Sequence, residues 1–182
     1  MRQSIITPLR LAALCVALTM SACAHQTIGA PTEARIQAPP PPNNYVEIGS
    51  AEDKGNQSIS IGISTNALDG DKDTSKLSLM FGFYFHDAAM EAKAAHLGTV
   101  GDGLTVKTPI TFSPPLGGKE ELGAILNQLA ALYPDRQRVG GHLLSTPDQR
   151  YLVYITFRTA SGPNAIYFDI SRWVEYRKTT ED

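Results

Sequence analysis

Thirteen residues near the start of the chain, Leu11–Cys23, read LAALCVALTMSAC, an apolar run closed by one cysteine. Arg2 and Arg10 precede it, and the small residues Ser21 and Ala22 lead into Cys23. A positive segment, a short apolar stretch and small residues at a cleavage point form the pattern of a secretory signal, which is removed from the mature protein. The apolar part, about ten residues, is too short for the roughly 20 that span a bilayer as a helix. This limits what the rest can fold into. Cys15 departs with the signal and Cys23 stands at its boundary, so the folded part has no cysteine. Disulfides, thiolate catalysis and thiolate zinc sites are excluded there, and the domain must rest on its hydrophobic core.

Met20-Ser21-Ala22-Cys23 resembles the lipobox of bacterial lipoprotein precursors. The resemblance implies that Cys23 is acylated and becomes the first mature residue. In the better-known envelopes of that family, Asp after the cysteine favours inner-membrane retention. Ala24 stands there instead, so the resemblance implies an outer-membrane protein held to the membrane through its N-terminal lipid. Ala22-Cys23-Ala24 also fits an A-x-A cleavage site, which gives the alternative of a soluble periplasmic protein.

Loss of Arg2 and Arg10 with the signal leaves 14 basic against 18 acidic side chains, a net charge of −4. A mildly acidic chain argues against nucleic acid as a partner, since that requires a basic patch or stripe. The expected organisation is a signal peptide at 1–22, a lipidated cysteine and tether at 23–44, one domain at 45–178 and a frayed tail at 179–182. Residues 24–44 hold five prolines, few large apolar side chains and no usable period. Such a segment buries too little surface to offset its ordering entropy, so disorder is expected. Pro39–Pro42 stiffens it toward polyproline II, for a reach of up to roughly 60 Å from the membrane. A Pro-rich ligand for another domain is the alternative use of this segment.

In the domain, Ile59, Ile61 and Ile63 alternate with polar or small residues as a half-buried strand. Leu77, Leu79, Phe81, Phe83 and Phe85 also alternate, and the two runs read as an antiparallel hairpin across a loop containing Asp69-Gly70. Asp87 is placed to cap a short helix ending near Gly98. Leu104, Val106, Ile110 and Phe112 share one parity but are interrupted by Pro109, which suits a broken or edge strand. Leu122, Ile125, Leu126, Leu129 and Leu132 follow helical spacing, with Glu120 and Glu121 in the first turn and Pro134 as the stop. Strands follow around 139–144, 151–157 and 166–170, with Trp173–Tyr176 as an extension of the last. The expected fold is α+β, an antiparallel sheet of five or six strands with the 119–133 helix packed on it. A small closed or near-closed barrel is the alternative. The helix stripe is expected to meet Phe81, Phe83 and Phe85 in the main core.

Catalytic motifs are hard to find. Asp69, Asp71 and Asp73 resemble the first half of a calcium loop, a weak metal candidate. Thr74 and Met80 stand where an EF-hand needs Gly and Glu. Of His25, His86, His96 and His142, no two have metal-ligand spacing, and His96 is placed in a last helical turn. No G-x-S-x-G elbow occurs, and Gly117-Gly118-Lys119 lacks the rest of a phosphate loop. No cofactor is implied. Tyr84, Tyr154 and Tyr167 are expected on one outer face of the sheet, as a surface for a partner. The reading is a non-catalytic outer-membrane lipoprotein whose periplasm- or surface-facing domain binds another envelope protein or supports a surface assembly. A binder or inhibitor of a soluble ligand is the alternative. A cell-wall hydrolase with a site assembled from scattered residues is the third.

Overall fold

A computed structural model describes residues 37–53, 59–63 and 72–180. The signal peptide, Cys23, and the tether as far as residue 36 lie outside the described residues. In chain order the elements are β1 (Val46–Asp53), β2 (Ile59–Ile63), α1 (Lys72–Glu91), β3 (Thr99–Val100), β4 (Thr111–Phe112), α2 (Glu121–Leu132), β5 (Gln137–Ser145), β6 (Tyr151–Thr159), β7 (Gly162–Asp169) and α3 (Ser171–Thr180). Five strands form one antiparallel sheet in the order β2-β1-β5-β6-β7, and β3 and β4 make a separate two-stranded ribbon. The fold is α+β with an open sheet, and no barrel closes. No helix among the described residues is long and apolar enough to cross a membrane.

The largest departure from the sequence reading is at residues 77–85. They form the middle of a helix, α1, and β2 pairs with β1 instead. The physical reason lies in the spacing. An alternating run contains an i, i+4, i+8 series, and on a helix those residues share a face. Leu77, Phe81 and Phe85 are buried, whereas Leu79 is 44% and Phe83 is 54% exposed. The expected core contact therefore holds for Phe81 and Phe85 and fails for Phe83. On α2, Leu122, Ile125, Leu126 and Leu129 are buried against the same sheet face, while Leu132 turns outward.

Helix α1 lies close on the sheet because small residues stand where it crosses. A Cβ on Gly49 of β1 would run into the Ser78 side chain, and one on Gly141 of β5 would run into the Phe85 ring. In the opposite sense, a Cβ on Gly82 of α1 would come within 2.6 Å of the Ile61 side chain on β2. Phe81 packs tilted on Phe85 with ring centroids 5.4 Å apart, and edge-on to Trp173 of α3 at 6.2 Å.

Several smaller expectations change. Asp87 lies inside α1 and caps nothing, and residues 92–98 are irregular rather than helical. Asn127 and Gln128 of α2 hold that stretch by accepting bonds from the Lys93 and Leu97 backbone N–H groups, each 2.7 Å. His96 is therefore exposed on a loop. Trp173–Tyr176 belong to a helix, α3, which runs on to Thr180 and takes in the first two residues of the expected frayed tail. The strand expected over 104–112 shrinks to β4, with Ile110 bridged to Phe168.

The domain also begins earlier than Tyr45. Gln37 bridges Ala165 of β7, the Ala38 N–H donates to the Ala165 carbonyl at 3.0 Å, and Ala38 is 1% exposed. Residues 37–45 thus form a strap over the second sheet face. Their small side chain and open carbonyls fit against tyrosines, which overrides the composition.

The glycine contacts give the first prediction. Gly141→Ala overpacks Phe85 and should cost about 1–3 kcal/mol. Adding Phe85→Leu to the same chain should recover part of the loss, making the pair non-additive in a double-mutant cycle read by urea unfolding.

Candidate functional site

The two sheet faces differ in what covers them. One carries Leu143, Val153, Ile155, Phe157, Ile166 and Phe168 beneath the helices. On the other, Leu144, Leu152, Ala165 and Tyr167 lie under the strap and Val106. Beyond that cover, among the described residues, the second face is open over β2, β1 and β5, where it forms a polar cleft of about 400 Å³. Ser50, Glu52, Ser60, Arg138, His142 and Thr156 line it.

Strand register brings these residues together. Ser50 stands opposite His142 on β5 and Gly62 on β2, and Glu52 stands opposite Gly140 and Ser60. The register slips between Gln137 and Gly140, a bulge that turns Arg138 out at φ 53°. Left-handed backbone costs a non-glycine residue roughly 1–2 kcal/mol. Residues held in such conformations cluster at functional sites. The His142 Nδ1 lies 3.2 Å from the Glu47 Oε1, and both side chains are partly exposed.

Ser50, His142 and Glu47 are the residue types of an acyl-transfer triad, and two of them are in contact. Two features weigh against that chemistry. A Cβ on Gly62 would lie 2.5 Å from the Ser50 Oγ and 3.9 Å from the Ser50 Cβ, so the hydroxyl leans toward β2 and away from His142. Along the paired stretches of β1, β2 and β5 the ladder also directs backbone N–H groups to neighbouring strands rather than out of the face. The cleft is lined by polar and charged side chains.

The tyrosines expected on one face are divided by the fold. Tyr154 and Tyr167 do meet, with ring centroids 4.8 Å apart, but the strap covers them. The Tyr154 hydroxyl donates to the Ala38 carbonyl at 3.2 Å, and the Tyr167 hydroxyl to the Pro39 carbonyl at 2.7 Å. Burial raises the pKa of both phenols, and Tyr167 is fully buried. Tyr84 lies on α1, beyond the opposite face, edge-on to Trp173. The Arg177 guanidinium sits 3.6 Å over its ring and donates to its hydroxyl at 2.9 Å. These three tyrosines therefore form no common surface.

Of the calcium candidates, Asp69 and Asp71 lie outside the described residues, and Asp73 is exposed in the first turn of α1. Among the described residues, no three His, Cys, Asp or Glu side chains converge to hold a metal ion. The cleft residues carry no motif that marks them in the sequence. They come from four strands, and the nearest local signal is Gly140-Gly141 beside the bulge.

One carboxyl elsewhere is strongly perturbed. Glu121, in the first turn of α2, is 6% exposed, and its Oε2 accepts the Trp173 N–H at 2.8 Å. It thereby closes the first turn of α3. Burial pushes its pKa up to about 7 from 4.5, against the pull of that bond. The folded protein thus holds the neutral acid more readily than the unfolded chain does. The resulting stability is full below about pH 4.5 and is lost as pH rises toward 7. Glu121→Gln keeps the acceptor without the charge. Its thermal midpoint should match the native chain at pH 4.5 and exceed it at pH 8 by about 2–4 °C, the shift of ~1 kcal/mol in a domain of this size.

Comparison with protein-family models, with curated proteins and with solved structures returned no match for this chain.

Proposed function

We propose that this protein is a non-catalytic lipoprotein of the outer membrane, anchored through an acylated Cys23, whose domain binds another envelope protein through the cleft on β2, β1 and β5. The anchor rests on the resemblance of Met20–Cys23 to a lipobox at the end of an apolar run. One observation carries the binding reading. Arg138 is held at φ 53° beside a polar cleft by the bulge in β5, which turns it out of the ladder. A guanidinium presented in this way suits a carboxylate of the partner, which it grips with two parallel bonds. Glu52 and the His142–Glu47 pair supply polar and acidic neighbours that fix orientation.

A second reading is favoured by the size of the cleft. About 400 Å³ falls within the range of small-molecule sites. A soluble zwitterionic or carboxylate ligand would use the same arginine.

Arg138→Gly separates binding from folding. Glycine adopts this backbone freely, so stability should stay within about 1 kcal/mol of the native chain. Affinity capture from detergent-solubilised envelopes should lose the partner at least tenfold. Equal capture by native and variant chains would show that the cleft is not the docking surface. Retained protein capture with lost binding of a small carboxylate would favour the second reading.

A further inference from the structure

Four consecutive prolines, Pro39–Pro42, run through the strap. Proline has no backbone N–H, so this stretch accepts hydrogen bonds and donates none. It cannot complete a strand ladder, and the surface beneath it has to supply donors from side chains. Two tyrosines do so. Tyr154 and Tyr167 stand directly opposite each other on β6 and β7, with ring centroids 4.8 Å apart. Their hydroxyls donate to consecutive strap carbonyls, Ala38 at 3.2 Å and Pro39 at 2.7 Å. Tyr45 and Val106 pack against the same apolar cluster.

The strap meets this surface with a period of three. Ala38 is 1% exposed and Pro41 is partly covered, whereas Pro39, Pro40 and Pro42 are exposed. Inward positions three apart match polyproline II, which has three residues per turn. Aromatic side chains that hold a preformed extended segment are the general means of recognising proline-rich ligands. Among the described residues, the backbone ties of the strap to the sheet are the isolated bridge of Gln37 to Ala165 and the Ala38 N–H bond to the Ala165 carbonyl. A turn, closed by the Tyr45 N–H on the Pro42 carbonyl at 3.0 Å, joins it to β1. The strap can therefore leave without breaking any ladder of the five-stranded sheet.

We propose that the surface around Tyr154 and Tyr167 is a binding site for proline-rich segments, occupied by the chain's own strap until a proline-rich segment of another protein takes its place. The contacts that seat the strap come from two backbone carbonyls, one small side chain and one proline ring three residues later. None of these is peculiar to this chain, and a segment with a small residue three before a proline offers them all. The strap is tethered beside the site, which gives it an effective concentration in the millimolar range, as for short linkers. A free segment displaces it in the ratio of its own concentration to that value. The strap thus works as a built-in competitor, and it excludes ligands that are dilute or held by this surface alone. This site is separate from the cleft on β2, β1 and β5, and the proposal does not rest on it.

The probe is a fluorescent peptide of residues 37–45, added to the full chain in detergent and read by anisotropy, with circular dichroism confirming each fold. Ala38→Glu puts a charged side chain at a position with no room for it and should free the surface. That variant should bind the peptide at least tenfold tighter than the native chain does. Adding Tyr154→Phe removes one donor and should weaken binding about two- to tenfold, the worth of a single hydrogen bond. A peptide with alanine in place of all four prolines should bind at least tenfold more weakly. A folded Ala38→Glu chain that ignores the peptide, or that binds the alanine peptide equally well, would overturn the proposal. If Ala38→Glu does not fold, hydrogen exchange in the native chain decides. At about 10 mM, tenfold above the effective concentration of the strap, the peptide should displace most of it. Exchange of the Ala38 amide should then rise at least tenfold, and an unchanged rate would reject the site. Dimers of the native chain that disappear on Ala38→Glu would assign the surface to the strap of a second copy and overturn the proposal.

Discussion

The close approach of α1 to the sheet is the contact on which the rest of this structure depends. Gly49 and Gly141 leave room for Ser78 and Phe85, and Gly82 leaves room for Ile61. With ordinary side chains at these points the helix would ride higher, and the interior would open by more than a methylene at each crossing. Protein interiors pack at crystal-like density and tolerate no such gap cheaply. Ser78 is 0% exposed and contributes shape more than polarity, since its hydroxyl has no partner among the described residues. Once α1 is seated, Phe81 and Phe85 meet Trp173, and α3 is fixed at the far end of the same layer. Glu121 then joins α2 to α3 by closing a helix start with a buried carboxyl.

Seating three helices on one face leaves the other to a strap of nine residues and the loop around Val106. That strap covers β6, β7 and part of β5, held among the described residues by two phenol hydroxyls and one backbone bond. The uncovered remainder is the polar cleft. Its position follows from how far a short segment can reach. Small residues recur there, with Ser50, Ser60, Gly62 and Gly140 close together, so among the described residues nothing large fills it. Among the described residues, the open cleft is therefore a consequence of this uneven cover.

The sequence shows the elements whose signals are local and hides those that depend on distant partners. Helix α2 is legible because Leu122, Ile125, Leu126 and Leu129 all point into one core and Pro134 ends the run. Strands β5, β6 and β7 are legible from alternation and turns. Helix α1 is not, because Leu77, Phe81 and Phe85 satisfy the strand period and the helix period together. Only the presence of β1 beside β2 decides between them. Strand β1 itself is masked by a bulge between Glu47 and Gly49, which breaks its alternation so that Ile48 and Ala51 are both buried at odd spacing. The cleft is invisible for a related reason. Ser50, Glu52, Arg138 and His142 are neighbours only through the pairing of β1 with β5, across about 90 residues of chain. The tyrosine face failed where the mistaken strand carried Tyr84 to the wrong layer, whereas Tyr154 and Tyr167, on true neighbouring strands, do meet.

The strap at residues 37–45 has a mechanical consequence. It joins the domain to everything N-terminal of it, so tension on that side arrives first at Gln37 and Ala38, alongside β7. A parallel bridge loads in shear, but the one backbone bond and two phenol hydroxyls seen among the described residues are few beside the ladders of β1 and β5. Under load the strap therefore yields before any strand of the sheet. Its nine residues then pay out about 30 Å of extended chain before Val46 is pulled. A domain tied through this segment carries a reserve of length that releases under force while the helices and the sheet remain folded.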